Sequence, residues 1–340
     1  MGMGLAYDVG IAIASLLLFP GFVFLSALAI FSEWFIRKVG ARMQNRMGPT
    51  YVGPAGILQP LMDMLKLYLV KEEKVQRYSS PTQARIGMAL AIGAIVASVL
   101  LLPLSPFRLA APYDVMVLAY LCAVWVTMGL IVACLAYPNP FTVTGTSRLI
   151  TLAVIAEPAW VAAILIPTTL YTALCPQGHA VPFSVLFTSM NAWRLWLHPA
   201  SFVAMALGVW SIMAATQAKA MLKPFDIPEA EQELIAGHIT EFSGRLLAMY
   251  ELLHDMEIAF SALLITYLFL GGPYPFPHLS APGIAVLVAK YVGVLFALTV
   301  VHSAFGRFRI EQGFISVAKY SLIPALIGLG IAIGIYFTHV

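Results

Sequence analysis

The chain has 340 residues, of which 61% are apolar and only 10% are charged. This composition lies well outside the range of soluble globular proteins. One helix needs about 20 mostly apolar residues to cross a bilayer, so a chain of this kind is expected to cross it several times. We therefore predict an all-α integral membrane protein that forms a single membrane domain over residues 1–340.

Eight apolar stretches have the length expected of spanning helices, or nearly so. The first is too long, and too poorly followed by a small-residue cleavage site, to be a signal peptide. The fifth and sixth are short and can extend into the polar segment between them. The stretches are Val9–Phe31, Ile86–Leu104, Val115–Ala136, Leu149–Tyr171, Ala200–Thr216, Ile258–Leu270, Gly283–Ala304 and Phe314–Phe337.

The positions of the basic residues indicate the orientation of the chain. The connections after the first, third, fifth and seventh stretches hold fifteen of the nineteen Lys and Arg residues. Since basic residues favour the cytoplasmic side, we predict a cell-membrane protein with both termini outside and its two long loops in the cytoplasm. The same bias explains the basic first loop, so no nucleic-acid partner is expected. Residues 175–198 are assigned to an outer loop.

The cysteines and the short motifs give no sign of a redox site on this chain. Cys122, Cys134 and Cys175 are far apart, and no CxxC or Cys/His group with metal spacing is present. An iron–sulfur or zinc site is therefore not expected. Motifs of the GxGxxG, P-loop and HExxH types are absent as well. Any electron transfer must take place on a partner.

Residues 32–85 form the first long polar segment, and part of it has the pattern of an amphipathic helix. Apolar residues recur there at three- and four-residue spacing, with charged residues on the other faces. The pattern predicts a helix that lies along the cytoplasmic membrane surface. The alternative is an ordinary helix buried in a small cytoplasmic fold. The apolar positions are Leu58, Leu61, Met62, Leu65 and Leu69.

The second long polar segment, residues 218–257, is rich in acids. The window from Asp226 to Glu257 holds half of the sixteen acidic residues. Asp226 and Pro228 have the pattern of a helix start, and Gly237 that of its end. Closely spaced carboxylates cannot all ionise cheaply, so some would share protons. We interpret the segment as a proton entrance; the alternative is a helix cap and a solvated acidic face gripped by cytoplasmic subunits. The candidate acids are Asp226, Glu229, Glu231, Glu233 and Glu241.

Glu157 is the strongest single candidate for a proton relay, because it lies inside the apolar run LITLAVIAEPAWVAAILI. An acid in such a run must face a polar interior, pair with a cation or stay protonated. These conditions suit a group that relays protons near neutral pH. The alternative is a structural hydrogen bond, helped by Pro158, which leaves backbone groups unpaired.

Basic residues near membrane level are candidates for docking or charge pairing. Guanidinium groups could pair with the acid cluster or hold a docked subunit. The alternative is simple anchoring at the cytoplasmic side. Asp63 and Lys66 could pair with each other, a weak interaction at a surface. The arginines are Arg37, Arg42, Arg46, Arg307 and Arg309.

Three segments resemble one membrane-protein family. RKVGARMQNRMGPTYVGPAGILQPLMDMLKL, PFDIPEAEQELIAGHITEFSG and GRFRIEQ are similar to signature regions of the heel membrane subunit of respiratory complex I, the respiratory NADH dehydrogenase. The same subunit recurs in membrane-bound energy-converting hydrogenases. The resemblance covers essentially the whole chain, and it includes an intramembrane glutamate at the position of Glu157.

Details of the resemblance favour the hydrogenase-like branch, which includes sulfane reductases. Ile36 stands where complex I members usually carry an acid, and His254 and Asp255 stand where they carry a Glu-Tyr pair. The stretch Asn139–Arg148 looks like its counterpart in hydrogenase-type members.

The resemblance implies a role in a complex, without catalysis by this chain alone. The protein would dock peripheral hydrogenase-like large and small subunits, which carry iron–sulfur clusters and a catalytic metal site, and would itself hold no cofactor. It would pass their redox change to proton or sodium translocation by antiporter-like membrane subunits. One alternative is a quinone-binding subunit of an NADH dehydrogenase-type complex. Another is a stand-alone secondary transporter, although no repeat with paired broken helices is evident.

Overall fold

The described part of the chain is helical throughout. The computed structural model describes residues 2–104, 111–175, 181–277 and 280–339, and no strand occurs among them. The first seven α-helices are α1 (Gly2–Leu17), α2 (Phe22–Met43), α3 (Gln59–Leu65), α4 (Pro81–Val99), α5 (Asp114–Ala119), α6 (Val126–Leu135) and α7 (Pro140–Leu174). The others are α8 (Val185–Leu197), α9 (Pro199–Lys219), α10 (Glu231–Leu234), α11 (Gly244–Leu268), α12 (Ala281–Ala304), α13 (Ile310–Val317) and α14 (Ile323–His339).

Short π-helical turns lengthen three of these helices. Lys66–Val70 continues α3, Tyr120–Trp125 joins α5 to α6, and Ala318–Leu322 joins α13 to α14. With these joins, and with α1 and α2 counted together across the break between them, seven stretches of the described chain are long and apolar enough to cross a membrane. They are Gly10–Met43, Pro81–Val99, Asp114–Leu135, Pro140–Leu174, Pro199–Lys219, Ala281–Ala304 and Ile310–Thr338. The prediction of an all-α membrane protein is confirmed.

The predicted sixth span, Ile258–Leu270, corresponds to the second half of α11. Three acids, Glu251, Asp255 and Glu257, make this helix too polar to count as a span by composition alone. Residues 256–268 are nevertheless buried among the other helices. Helix α11 is therefore part of the bundle, and it brings acids inside.

The first predicted span, Val9–Phe31, is wrong in its boundaries, because it consists of parts of two helices. Helix α1 ends at Leu17 and α2 begins at Phe22, with Pro20 in the break between them. Proline has no backbone N–H and clashes with the preceding turn, so it does not continue a helix. Helix α2 then runs on to Met43, and the start of the predicted loop 32–85 is helical.

Helix α3 and its π turn coincide with the predicted amphipathic helix. Leu58, Leu65 and Leu69 remain exposed, as do Tyr68 and Val70. Exposure of the apolar face argues against a helix buried in a small cytoplasmic fold. A position along the membrane surface stays a prediction.

The predicted helix from Asp226 to Gly237 is wrong. Helix α10 has only four residues, and Ala230 occupies its N-cap position. Asp226 cannot act as the cap because its carboxylate binds Arg307, far away in the sequence. The polar segment 218–257 is therefore an irregular loop between α9 and α11, and helices take up its two ends.

Helix α8 lies in the stretch that the sequence pattern assigns to an outer loop, so part of that connection is helical; its position outside stays a prediction. It packs against α7, α9 and α11. The carboxylate of buried Asp114 holds its start: Oδ1 accepts the backbone N–H of Val185 at 2.7 Å, and Oδ2 accepts the Ser184 hydroxyl at 3.2 Å. A cap that comes from 70 residues away leaves no local signal.

The bundle has two main groups of helices, and α11 contacts both. Helix α7 packs against α9 and α14, while α2 packs against α11 and α12. Helices α4 and α6 form a tight pair, and α4 also contacts α11. The functional candidates lie where α6, α7, α9 and α11 meet.

Replacement of Asp114 tests the anchoring of α8. Asp114→Ala leaves buried donors without an acceptor, and we expect a loss of about 1–3 kcal/mol in stability. The midpoint of thermal unfolding of the purified protein measures it. Asp114→Asn keeps an acceptor oxygen for the N–H of Val185 and should lose less. An unchanged midpoint in Asp114→Ala would show that the carboxylate does not hold the helix.

Candidate functional site

Glu157 lies in the middle of α7 and binds a cation inside the bundle. The ammonium group of Lys219, at the end of α9, donates to Glu157 Oε1 over 2.6 Å. The hydroxyl of Thr127 on α6 donates to the same oxygen over 2.6 Å. Only 14% of the Glu157 side-chain surface is exposed. Pairing with a cation is one of the three conditions under which an acid is tolerated in an apolar span.

Lys219 binds a second carboxylate, so the site is a cluster of three charges. Its nitrogen lies 3.1 Å from Glu257 Oε1 on α11 and donates to the carbonyl oxygen of Cys122 over 2.9 Å. The same nitrogen lies 5.6 Å from the centre of the Trp160 ring. The Lys219 side chain is buried. We call Glu157, Lys219 and Glu257 the buried charge cluster.

The sequence patterns identify Glu157 but miss Lys219 and Glu257 as its partners. In the sequence, Lys219 is one of many basic residues at the cytoplasmic end of a span, and Glu257 is one of the eight acids of the acid-rich window. The available signal is indirect: an acid inside an apolar span requires a cation, and Lys219 is the basic residue that ends the fifth span.

One positive charge faces two carboxylates, so the buried charge cluster has room for a proton. Glu157 Oε2 is buried and has no hydrogen-bond partner among the described residues. A buried oxygen of this kind is normally satisfied by water or by a proton. The arrangement therefore suits a group that takes up and releases protons.

A small cavity adjoins the cluster and connects it to the acidic loop. Its volume is about 30 Å³, which is enough to hold one or two water molecules. Its wall includes Glu157, Lys219 and Glu257, and also Pro228 of the loop. The loop and the buried charges therefore share one space.

Asp226, near the start of the loop, forms a bidentate ion pair with Arg307. Arg307 donates from Nε to Oδ1 over 2.9 Å and from Nη2 to Oδ2 over 2.7 Å. A third nitrogen, Nη1, donates to Oε1 of Gln232 over 2.6 Å. Charged hydrogen bonds of this geometry are the strong ones in proteins. Arg307 thus ties the α12–α13 connection to two points of the loop.

Glu233 and Glu241 tie the loop to α7. Arg148 donates to Glu233 Oε2 over 2.5 Å, and Asn139, the N-cap of α7, donates to Glu241 Oε1. Arg148 lies on the same helix as Glu157, nine residues earlier, or about 13 Å along the axis. The Glu231 side chain lies outside the described part of the structure.

Glu229 belongs to a buried hydrogen-bonded chain of side chains. The hydroxyl of Tyr250 on α11 donates to Glu229 Oε1, and the Nε2 of His238 lies 3.2 Å from the same hydroxyl. Burial lowers the pKa of His238 below its ordinary value, so the ring is neutral at pH 7. Glu229 directly follows Pro228, which lines the cavity of the buried charge cluster.

The loop backbone lies directly on α7. A Cβ atom on Gly145 would come within 2.3 Å of the backbone nitrogen of His238. Gly237 has a φ of +57°, and a Cβ on it would come within 1.7 Å of the carbonyl oxygen of Pro228. Only glycine fits at either position, so the close packing of the loop backbone against α7 depends on both glycines.

The remaining candidates form no ion pair with the loop acids whose side chains the structure describes. Arg37 binds Glu33 on its own helix and Asp63 on α3, the latter at 3.2 Å. Asp63 accepts from Arg37 and Gln59, so the predicted pair with Lys66 is wrong. The side chains of Arg42, Arg46, Lys66 and Arg309 are exposed.

Further polar groups on α11 lie between these two regions. His254 Nε2 lies 2.9 Å from the carbonyl oxygen of Ala220, and Asp255 is in electrostatic reach of Glu33. Polar side chains thus extend from α2, through α11, towards the loop. No group of three His, Cys, Asp or Glu side chains in the described ranges could hold a metal ion.

The comparisons with known proteins agree with this architecture. A family profile described as NADH dehydrogenase matches residues 15–333. The chain belongs to this family. Its fold is also similar to a chain in the structure of the membrane-bound sulfane sulfur reductase, an archaeal respiratory membrane complex. The TM-score is 0.77 and the identity is 26%, and the match covers 95% of this chain and 99% of that chain.

Membership of the family makes this protein a complex I-like, membrane-integral subunit, of the kind that the signature segments predict. The match to a sulfane reductase chain supports the hydrogenase-like branch. The family members' partners and reactions are not carried over by the match itself.

Replacement of Lys219 tests the charge cluster. Lys219→Met leaves two buried carboxylates unpaired, and we expect a loss of roughly 3–5 kcal/mol in stability. The triple variant Lys219→Met, Glu157→Gln, Glu257→Gln removes all three charges and should recover most of the loss. Exposed Lys71→Met is the control. A Lys219→Met protein with unchanged yield and unfolding temperature would contradict the pairing.

Proposed function

We propose that this chain is the membrane-anchor and coupling subunit of a complex I-like, ion-translocating redox complex of the hydrogenase or sulfane reductase type. It docks a peripheral electron-transfer module and relays the redox change of that module to the membrane arm. The chain contributes no cofactor of its own. Iron–sulfur clusters and the catalytic metal belong to hydrogenase-like large and small subunits, and ion movement belongs to antiporter-like membrane subunits.

The observation that carries the proposal is the shared cavity of the acidic loop and the buried charge cluster. A charge change at Glu157 alters the electrostatic environment at Pro228 and Glu229, and a movement of the loop alters the space around Glu157. Coupling of two sites requires a physical element that both of them bias. The loop is such an element, because it contacts the buried charges on one side and the predicted cytoplasmic surface on the other.

The mechanism has three steps in terms of this chain's residues. Electron transfer in the docked module changes the charge or conformation next to the loop of residues 220–243. The change shifts the proton occupancy of the loop acids and of the Glu229–Tyr250–His238 chain. The neighbouring cavity then passes a proton to or from Glu157, next to Lys219. Local electrostatic changes commonly act as switches in this way.

The predicted orientation supports docking at the loop end of the bundle. The exposed basic residues Arg42, at the end of α2, and Arg46 and Lys66, after it, lie in the segment that the distribution of charge puts in the cytoplasm. In this arrangement both termini lie outside the cell. Purification in mild detergent separates this proposal from a stand-alone transporter: an active monomer or homodimer without redox partners would overturn it.

Glu157→Gln tests the relay. Glutamine keeps the shape and the hydrogen bond from Thr127 but cannot titrate. Redox-driven ion pumping should fall by roughly 10²-fold, the lower end of the contribution of a positioned proton-transfer group. Assembly should remain intact on native gels. Glu72→Gln, at an exposed acid, is the matched control. Unchanged pumping by Glu157→Gln would make the residue structural.

Replacement of Glu231 and Glu233 together with Gln tests the loop. Loss of the contact between Glu233 and Arg148 should loosen the loop on α7, so we expect slower or uncoupled turnover. Arg148→Gln breaks the same contact from the other side and should give a similar defect. Peripheral subunits should stay bound. Their loss on native gels, with normal coupling in the remaining complexes, would indicate a docking role instead.

A further inference from the structure

Lys319 is a charged residue on the outside of a membrane-spanning stretch. It lies nine residues into the stretch Ile310–Thr338, and its side chain is exposed. Among the described residues it forms no ion pair, and its nitrogen lies 5.4 Å from the centre of the neighbouring Tyr320 ring. A lysine facing hydrocarbon is costly unless it reaches the interface or meets an anion.

The local structure holds Lys319 in place. It belongs to the π turn Ala318–Leu322, and such turns often occur at functional sites. Ser321 in the same turn exchanges hydrogen bonds with Ser211 on α9, over 2.7 and 2.8 Å. Because Cβ atoms tilt towards the N-terminus of a helix, the lysine stem points towards the α13 end, the predicted cytoplasmic side.

An apolar groove lies beside this lysine. It has a volume of about 550 Å³, within the range of binding pockets for small molecules. One wall comes from α9 and the other from α12, α13 and the connection between them, and Pro224 and Phe225 of the acidic loop also line the groove. The amide of Gln217 joins α9 to the carbonyl oxygen of Leu298 over 2.7 Å. Tyr320, over which the ammonium of Lys319 lies, is part of the rim. Further lining residues are Trp210, Ala214, Phe305 and Ser316.

The groove is open to the outside of the bundle. Trp210 is 61% exposed, Phe305 53% and Tyr320 50%. Trp210 and Tyr320 belong to stretches that can cross the membrane, and Phe305 directly follows α12, so whatever fills the groove comes from within the bilayer. An apolar chain fits the walls, and a negative charge fits Lys319.

We propose that this groove binds one anionic membrane lipid. One of its acyl or isoprenoid chains lies between α9 and α12–α13, and its phosphate binds Lys319. Basic residues between spanning helices on the cytoplasmic side are suited to anionic headgroups. A lipid is favoured over a helix of a neighbouring subunit because the site is a concave groove between helices, with the ammonium of Lys319 over the ring of its lining residue Tyr320.

The test measures bound lipid in the intact complex purified in mild detergent. Lipids that remain after repeated washing are quantified per complex by mass spectrometry. Lys319→Met should retain about fivefold less anionic lipid, the factor equivalent to ~1 kcal/mol for one basic residue near the membrane surface. Lys319→Arg keeps the charge and should retain the parent amount.

A second variant tests the groove independently of the charge. Ala214→Trp fills the groove and should also reduce the retained anionic lipid about fivefold, in line with an equal contribution of ~1 kcal/mol. Ala206→Trp, at an exposed position on the same helix that does not line the groove, is its matched control. Parent levels of lipid in both Lys319→Met and Ala214→Trp would overturn the proposal. Loss of a neighbouring membrane subunit from Lys319→Met, with lipid unchanged, would also overturn it, since the cation would then pair with protein.

Discussion

The structure depends on one buried lysine held between two carboxylates. Lys219 joins α9 to Glu157 on α7 and to Glu257 on α11, in surroundings where an unpaired charge would cost several kcal/mol. This requirement fixes how three helices meet. It also leaves the cluster one positive charge short of neutrality, next to the buried oxygen Glu157 Oε2, which has no hydrogen-bond partner among the described residues. The same contacts that hold the bundle together therefore leave one excess negative charge inside it.

The acids of the loop are also held by partners on other elements, nearer the surface. Each of its acids with a described side chain accepts a hydrogen bond from a different part of the chain: Asp226 from the α12–α13 connection, Glu233 and Glu241 from α7, and Glu229 from α11. Protonation of any of them weakens a contact that holds the loop in place. The position of the loop therefore depends on these charged contacts, and this dependence is the physical basis of the proposed coupling role.

The sequence predicts the features that follow from hydropathy and composition, and it misses those that depend on distant partners. The apolar stretches, the amphipathic helix after the first span and the isolated acid Glu157 all leave local patterns. Lys219 does not, because its role arises only when α9 meets α7 and α11. The prediction that a helix starts at Asp226 is wrong for the same reason, because the carboxylate of Asp226 binds Arg307, 81 residues later. Helix α8 is not predicted because the group that binds its N-terminus, the carboxylate of Asp114, lies 70 residues away in the sequence.

The contact of Gly145 with the backbone of His238 has a mechanical consequence. Two backbones that touch without intervening side chains interlock, so the loop cannot slide along α7 by small steps. A displacement of the loop along α7 therefore requires it first to lift away from the helix. A signal that crosses this junction is therefore expected to be all-or-none in the loop backbone, or else to travel through protons and side chains over a stationary main chain.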